Sequence, residues 1–591
     1  MTMEMGANSP SFISMLRSVG NYGRGLKPPT MHELRTWILK EEVKTTTTMV
    51  EDIKATWKTT GVSLLSDGWS DMRNHSLINF LVNNEYGTVF LKTVDASDCV
   101  KDAQKFFELL DGVVEEIGED IVIQVVTDNA SNYKAAGTLL MEKRKGLYWT
   151  PCAAHCIDLM LEKIGELPQH KNALLKAKKV TNFIYNHQWV LALSRKVLKK
   201  DLLRPAATRF ATTFFTIQSI YQSKEALQQM FTSSDWNTCN WAKKADGKEV
   251  RKIIMDERIF WPNVVYCIKT TQPLVEVLRL VDGEQTPAMG YIYGAMDECK
   301  EKIAKNLDNK LPSYKAIWEI IDKKWDLQMH RDLHAAAYYL NPKHLWSPGM
   351  SKHPEIKRGL YDVMGKLVKD QSVYMKIEEQ HILYKRKEKL FGYRGALATY
   401  QTRPEVRWWD EYRDDTPELK EFAMKVLGLT CSASACERNW STFNQVHTKR
   451  RNRLTTERMN DLVYIMYNKK LKQKFVKKGS LKEEEDPLLL ENVVSDDEWI
   501  AEPDDEATIE GGETGGEGSD GIGGGSSVPR GESSSSRKRK VVQKKVQSKK
   551  KKPAQLNLID EEDEFEEIET DEECDYEEEE ANSDEETFYA V

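Results

Sequence analysis

The chain has 591 residues, too many for one ordinary core, and a working figure of about 150 residues per domain suggests two to four units. Its net charge of −8 is spread unevenly: from Leu481 onward 36 acidic against 12 basic residues give −24, which leaves about +16 on the first 480. A cationic body with an acidic appendage suits a polyanionic partner, nucleic acid above all, with a merely Lys-rich soluble protein as the bland alternative. Nine scattered cysteines form neither a disulfide framework nor a complete zinc finger, which points to a reducing intracellular setting. The first residues, Met-Thr-Met-Glu-Met-Gly, have no basic head or apolar core, and no run nears the ~18 apolar residues of a span, so neither secretion nor a membrane partner is expected.

Residues 1–55 read as a polar, helical N-terminal segment, broken at Pro28-Pro29 before an amphipathic helix that begins at Met31. From Gly61 the period changes. Three β-rich runs, 62–66, 77–82 and 88–94, are separated by polar turns such as Asn83 to Gly87 and predict an antiparallel meander. A helix over 102–117 follows, with Phe106, Leu110, Val113 and Ile117 on one face and Gly118 as its stop. Residues 121–127 are apolar or β-branched except Gln124, the composition of a central strand, and they deliver Asp128 into a polar turn. A helix over about 133–145, a strand at 147–150 and a helix from Cys152 complete the series.

The order β-β-β-α-β-α-β predicts an α/β, ribonuclease H-like core, whose first part spans 56–164 and whose first strand lies beside its fourth. Asp67, in Leu65-Ser-Asp-Gly-Trp, is then expected next to Asp128, and two adjacent carboxylates repel unless a divalent cation sits between them. Plainer readings stand beside this one. Asp67-Gly68 is a common turn pair, and Asp128 is well placed to cap the helix near Ser131.

Residues 165–430 read as a large all-α insertion whose aromatic stripes recur at helical spacing and therefore suit a core better than base stacking; Trp408-Trp409 lie near its end. A region at 431–475 then returns to the core. It opens on Cys431-Ser-Ala-Ser-Ala-Cys-Glu-Arg-Asn-Trp440, where Glu437 either serves the acidic edge or closes a capping box with Ser434. A helix with Met459, Leu462, Val463 and Met466 at i, i+3, i+4, i+7 must pack on something, either a partner or its own chain. Residues 480–591 read as a disordered Gly/Ser, basic and acidic tail, whose clusters Arg537, Lys538, Arg539, Lys540 and Lys549, Lys550, Lys551, Lys552 suit nuclear import.

Four motifs in this order, Ser66-Asp-Gly-Trp-Ser, Val126-Thr-Asp-Asn-Ala-Ser-Asn-Tyr, Thr150-Pro-Cys-Ala-Ala-His-Cys and Ser434-Ala-Cys-Glu-Arg-Asn-Trp-Ser, resemble the hAT transposase superfamily over about residues 8–470. The resemblance is to its plant branch with a central domain of unknown function. It implies an Asp67, Asp128, Glu437 triad that holds Mg²⁺ for DNA strand cleavage and transfer, and a C-terminal dimer contact carried by Met459, Leu462, Val463 and Met466. DNA and a homodimer or related hAT-type protein are the implied partners, in the nucleus. His155, of the superfamily's Cys-x-x-His element with Cys152, and Arg209 with Phe210, where members carry Arg-Trp, are implied DNA contacts. Cys152, His155 and Cys156 have no second ligand pair nearby in sequence, so no zinc site is expected. The N-terminal zinc finger usual in the superfamily is missing ahead of Cys99, either lost or cut off. Three readings follow: a dimerising, transposase-derived nuclear DNA-binding protein, an active metal-dependent transposase or nuclease, and a non-DNA dimeric scaffold.

Overall fold

The computed structural model describes residues 10–70, 76–97, 102–204, 211–283, 287–350, 353–412, 414–446 and 455–480. The first helix, α1 (Pro10–Tyr22), is followed by a capped turn at Thr30 and a long helix that settles into α2 (Leu39–Thr60). Helix α2 runs past the predicted boundary at 55 because Val50 and Trp57 are buried against the sheet. It stops at Gly61, whose φ of 67° suits glycine and where a Cβ would sit 2.1 Å from the Ile123 side chain.

Five strands follow: β1 (Val62–Ser70), β2 (Ser76–Asn84), β3 (Gly87–Asp95), β4 (Val122–Thr127) and β5 (Tyr148–Pro151). Their order across the sheet is β3-β2-β1-β4-β5, with β1 antiparallel to β2 and parallel to β4. The first strand thus lies beside the fourth, as the element order predicts. Helix α3 (Ala103–Ile117) starts at Asp102, whose carboxylate accepts the Lys105 amide N–H at 2.8 Å, and helix α4 (Ser131–Lys143) follows β4.

All six residues of β4 are buried, which explains its unbroken apolar run. The one polar exception has a structural job: the Gln124 side chain accepts from Ser63 Oγ at 3.1 Å and donates to Thr150 Oγ1, tying β1, β4 and β5 together inside the core. The sheet face covered by α3 and α4 forms one apolar cluster, with Phe106 against Tyr133 and with α4 so close that a Cβ on Gly137 would strike the Trp149 ring.

On the other face α5 (Ala153–Gly165) leads into an all-helical stretch, and the described residues form one compact unit. Within that stretch Trp346, Tyr384, Phe391, Trp408 and Trp409 pack ring against ring, with Trp408 and Trp409 fully buried, so the aromatic stripes belong to a core. The chain returns through α6 (Ser434–Val446) and ends its described part with α7 (Thr456–Ser480). Helix α7 lies along β3 and α2. The Asn468 side chain donates to Phe90 O at 3.0 Å and accepts from Phe90 N at 2.9 Å, and Asn460 Nδ2 donates to Thr93 O. Among the described residues no helix is long and apolar enough to cross a membrane.

Candidate acidic site at the sheet edge

Asp67 does not end its strand. Strand β1 continues to Ser70 because β2 pairs with it as far as Ser70↔Ser76, whereas its pairing with β4 stops at Leu65↔Val126. Asp67 therefore sits in extended backbone, two residues beyond the last β1–β4 pair, beside the point where β4 gives out into Asp128. The turn reading of Asp67-Gly68 falls with that pairing. The capping reading of Asp128 also changes: α4 has Ala130 as its N-cap without a side-chain cap, and Asp128 Oδ1 instead accepts the Ala130 N–H at 3.2 Å, a local turn of its own.

Helix α6 brings the third acid. Trp440, one turn after Glu437, donates its indole N–H to Asp67 Oδ2 at 3.0 Å and stacks on Trp69 with ring centroids 5.2 Å apart. Phe443, one turn further, packs against Trp69 and Phe90. Residues 437, 440 and 443 recur at i+3, so the helix face laid on β1 is the one that carries Glu437. Arg438 points elsewhere and pairs at 3.1 Å with Asp282, at the C-terminal end of the insertion helix Phe260–Asp282, fastening α6 to the helical stretch.

The electrostatics record this crowding. Burial first, then the charges of Glu437 and Asp128, push the Asp67 carboxyl up to about 8, against the Trp440 indole and the Gly68 amide, which favour its ionised form. Tyr133 lies within the same field. Its hydroxyl is buried beside Ser66, and burial followed by the charges of Asp67 and Asp128 raises it well above the usual tyrosine value. Among the described residues no group of three or more His, Cys, Asp or Glu side chains is placed to hold a metal ion by itself.

The Cys-x-x-His element has a visible mechanical part. Cys152 begins α5, and its sulfur accepts the Ala433 N–H at 3.3 Å beside Ser432 Oγ at 3.5 Å, while Ala153 N–H donates to Cys431 O at 2.8 Å. The small residues 431–435 thus let the start of α6 lie against the start of α5. Cys152, Cys156, Cys431 and Cys436 are all buried thiols, and Cys152 is pushed up to about 11 by burial and then by Glu437. His155 is half-buried on α5. Arg209 and Phe210 lie outside the described residues; the next residue, Ala211, donates its N–H to Asp158 of α5 at 2.8 Å. The import clusters at 537–540 and 549–552 lie outside them as well.

The expected dimer stripe divides in two. Val463 and Met459 are buried within the chain itself, Leu462 is half-buried, and Met466 alone is exposed, at 42%. Two of the four are thus covered by their own chain. The stripe is apolar because α7 docks on β3 and α2 of its own chain, and helical periodicity marks a buried face without saying what buries it. Trp440 and Tyr133, which the sequence reading gave no role, are the groups that contact or crowd the acids; the i, i+3 spacing of Glu437 and Trp440 was the available signal for the first.

Residues 29–180 match the family model of a domain of unknown function, DUF659, and residues 398–468 match the hAT family C-terminal dimerisation region. Asp67 and Asp128 fall in the first segment and Glu437 in the second, which begins inside the helical stretch rather than at 431. No curated protein matches the chain. The two matches, in this order on one chain, support a hAT-family transposase-like protein that carries the family's C-terminal dimerisation region.

Proposed function

We propose that this chain is a dimerising, transposase-derived nuclear DNA-binding protein with a ribonuclease H-like core, in which Asp67, Asp128 and Glu437 attract a divalent cation at the sheet edge. The observation that carries the reading is the contact of Trp440 with Asp67, because it turns the Glu437 face of α6 toward the strand that lies beside Asp128. The strand order β3-β2-β1-β4-β5 supports the core assignment. The +16 body supports phosphate-dominated DNA binding, and the clusters at 537–540 and 549–552 support nuclear import.

Carboxylate oxygens are the ligands that Mg²⁺ prefers, and Mg²⁺ is usually held by one or two carboxylates together with substrate phosphates, so an incomplete protein cage fits the ion. When bound, the ion would polarise a DNA phosphate and activate a water or 3′-hydroxyl for in-line attack. The chain's own part is to hold Asp67 through Trp440 and Gly68, to hold Asp128 through Ala130, and to fix α6 through Cys152 and Arg438. Strand cleavage is the second reading, favoured by the same convergence of three acids.

The deciding measurement is the melting temperature with and without Mg²⁺ or Mn²⁺. The wild type is expected to gain stability with the ion, and Asp128→Asn to lose that gain, together with any Mn²⁺-dependent DNA nicking, while keeping its DNA affinity. An ion response that survives in Asp128→Asn sinks the site. DNA binding should also weaken steeply with salt, and binding indifferent to salt would leave only the scaffold reading.

A further inference from the structure

Among the described residues, helix α1 carries an apolar face whose large side chains are all exposed. Phe12, Met15, Leu16, Val19 and Tyr22 fall at i, i+3, i+4, i+7 and i+10, and each is between 39% and 68% exposed. Continuing through Leu34 and Trp37, ten of the 22 large hydrophobic side chains exposed among the described residues lie between Phe12 and Trp37. Scattered exposed side chains need no account, but this concentration on one short segment does.

The second half of this surface leads into a helix that packs on the dimerisation region. Leu34 and Trp37 stand in the turn that runs without a break into α2, and α2 packs along α7: Tyr464 Oη is 3.5 Å from Thr47 Oγ1, and Lys469 pairs with Glu42. These two contacts make the helices antiparallel. Trp37, at 60% exposure, stands just ahead of α2, and Met466, at 42%, lies on α7, whose residues 456–468 fall within the segment matched by the dimerisation family model.

We propose that α1 is an exchanged arm: in the dimer, the apolar face of α1 from each copy lies on the α2–α7 pair of the other, covering Leu34, Trp37 and Met466. The occupant is a second copy for three reasons. The receiving surface is continuous with the dimerisation region. The arm contains a single charge, Arg17, which suits an apolar protein surface better than the strongly basic face of a membrane-surface helix. The linker of eight residues, 23–30, reaches about 26 Å when extended, enough to cross from one copy to another. It contains Gly23, Gly25 and the Pro28-Pro29 break, so it leaves α1 separate from α2.

Exchange makes a prediction that packing within one chain does not. In the full-length protein, an arm variant (Phe12→Asp, Leu16→Asp, Val19→Asp) and a surface variant (Trp37→Asp, Met466→Asp) should each weaken the dimer about tenfold or more by sedimentation equilibrium. Mixed together under different tags, they should form a heterodimer tighter than either homodimer, because one intact arm still meets one intact surface. The substituted side chains are exposed, so unchanged circular dichroism and melting of the monomer establish that folding is intact; Leu175→Asp, at an exposed site away from both surfaces, should leave the dimer unaffected. An arm variant with unaltered dimer affinity overturns the proposal. So does the absence of any preference for the heterodimer, which would put the arm on its own chain. Arm-dependent binding to neutral phosphatidylcholine vesicles with an unaltered dimer would make the occupant a membrane, and a wild type that stays monomeric would remove the dimer itself.

Discussion

In the helical region Trp346, Tyr384, Phe391, Trp408 and Trp409 satisfy one another: rings stack or meet edge to face, and the Trp408 and Trp409 indoles donate to the carbonyls of Ala396 and Leu340. At the sheet edge the neighbours frustrate one another. Asp67 is crowded by Glu437 and Asp128, and the buried Tyr133 hydroxyl stands in the field of the same acids. One region lowers the energy of the folded chain, and the other raises it where carboxylates crowd together. The contrast indicates that the aromatic core supplies the stability against which the acidic edge is held in place.

The contrast is broken most severely from the aromatic side. Trp409→Ala should destabilise the chain by about 3–5 kcal/mol, read from denaturant unfolding, because it empties a fully buried ring site and removes one of the two side-chain hydrogen bonds to the Leu340 carbonyl, leaving that from Tyr384.

Glu405 gives the next largest effect and tests whether the helical region is wholly relaxed. It is 1% exposed, and burial raises it to about 7; its Oε2 accepts from Tyr291 Oη, Oε1 has no partner, and Lys343 and Glu85 face it with opposite effects. A carboxyl raised in the folded state binds more protons there than in the unfolded chain. Its contribution is therefore full below about 4.5 and is lost as pH rises toward about 7. Glu405→Gln should remove that loss, worth a few kcal/mol in order of magnitude, from the pH profile of stability. The difference between variant and wild type is the quantity to measure. His170 and His334, lowered to about 4 by burial, tilt the total profile the opposite way, since they bind fewer protons when folded and favour folding as pH rises from about 4 to 6.5.

At the acidic edge the expected sign is reversed. Glu437→Gln should raise the metal-free stability by about 1 kcal/mol, since it relieves the charge on Asp67, while abolishing stabilisation by Mg²⁺. A loss of stability in metal-free buffer would mean that the edge is not strained by charge. The smallest effect is expected outside both regions: Met466→Asp should change monomer stability by no more than about 0.5 kcal/mol, by thermal melting, because the side chain is exposed.

Much of the sheet was legible because its signals are local. The apolar run 121–127, the glycine stop at Gly118 and the meander turns each dictate their own backbone, and their order predicts β1 beside β4. What escaped depends on distant partners. Asp67 reads as a turn until β2 is known to pair beyond it to Ser70, and Gln124 reads as a blemish until Ser63 and Thr150 are seen to need it. The Met459 stripe announces a buried face, yet only the docked helix tells that β3 and α2 of the same chain do most of the burying. The Cys-x-x-His element could be placed on a helix from its spacing, but its grip on Ala433 joins residues some 280 positions apart.

Strand β3 is the outer strand on one side of the sheet, and its free margin is occupied by α7, whose Asn468 amide meets both the N–H and the C=O of Phe90 as a neighbouring strand would. A bare strand margin is a template for uncontrolled strand addition between molecules. Helix α7 therefore also guards solubility: a chain shortened before Thr456 would expose β3 and is expected to precipitate, rather than to persist as a well-behaved monomer. Loss of dimerisation and loss of the soluble protein are coupled in any such truncation, so only point substitutions on the outer face of α7 can separate them.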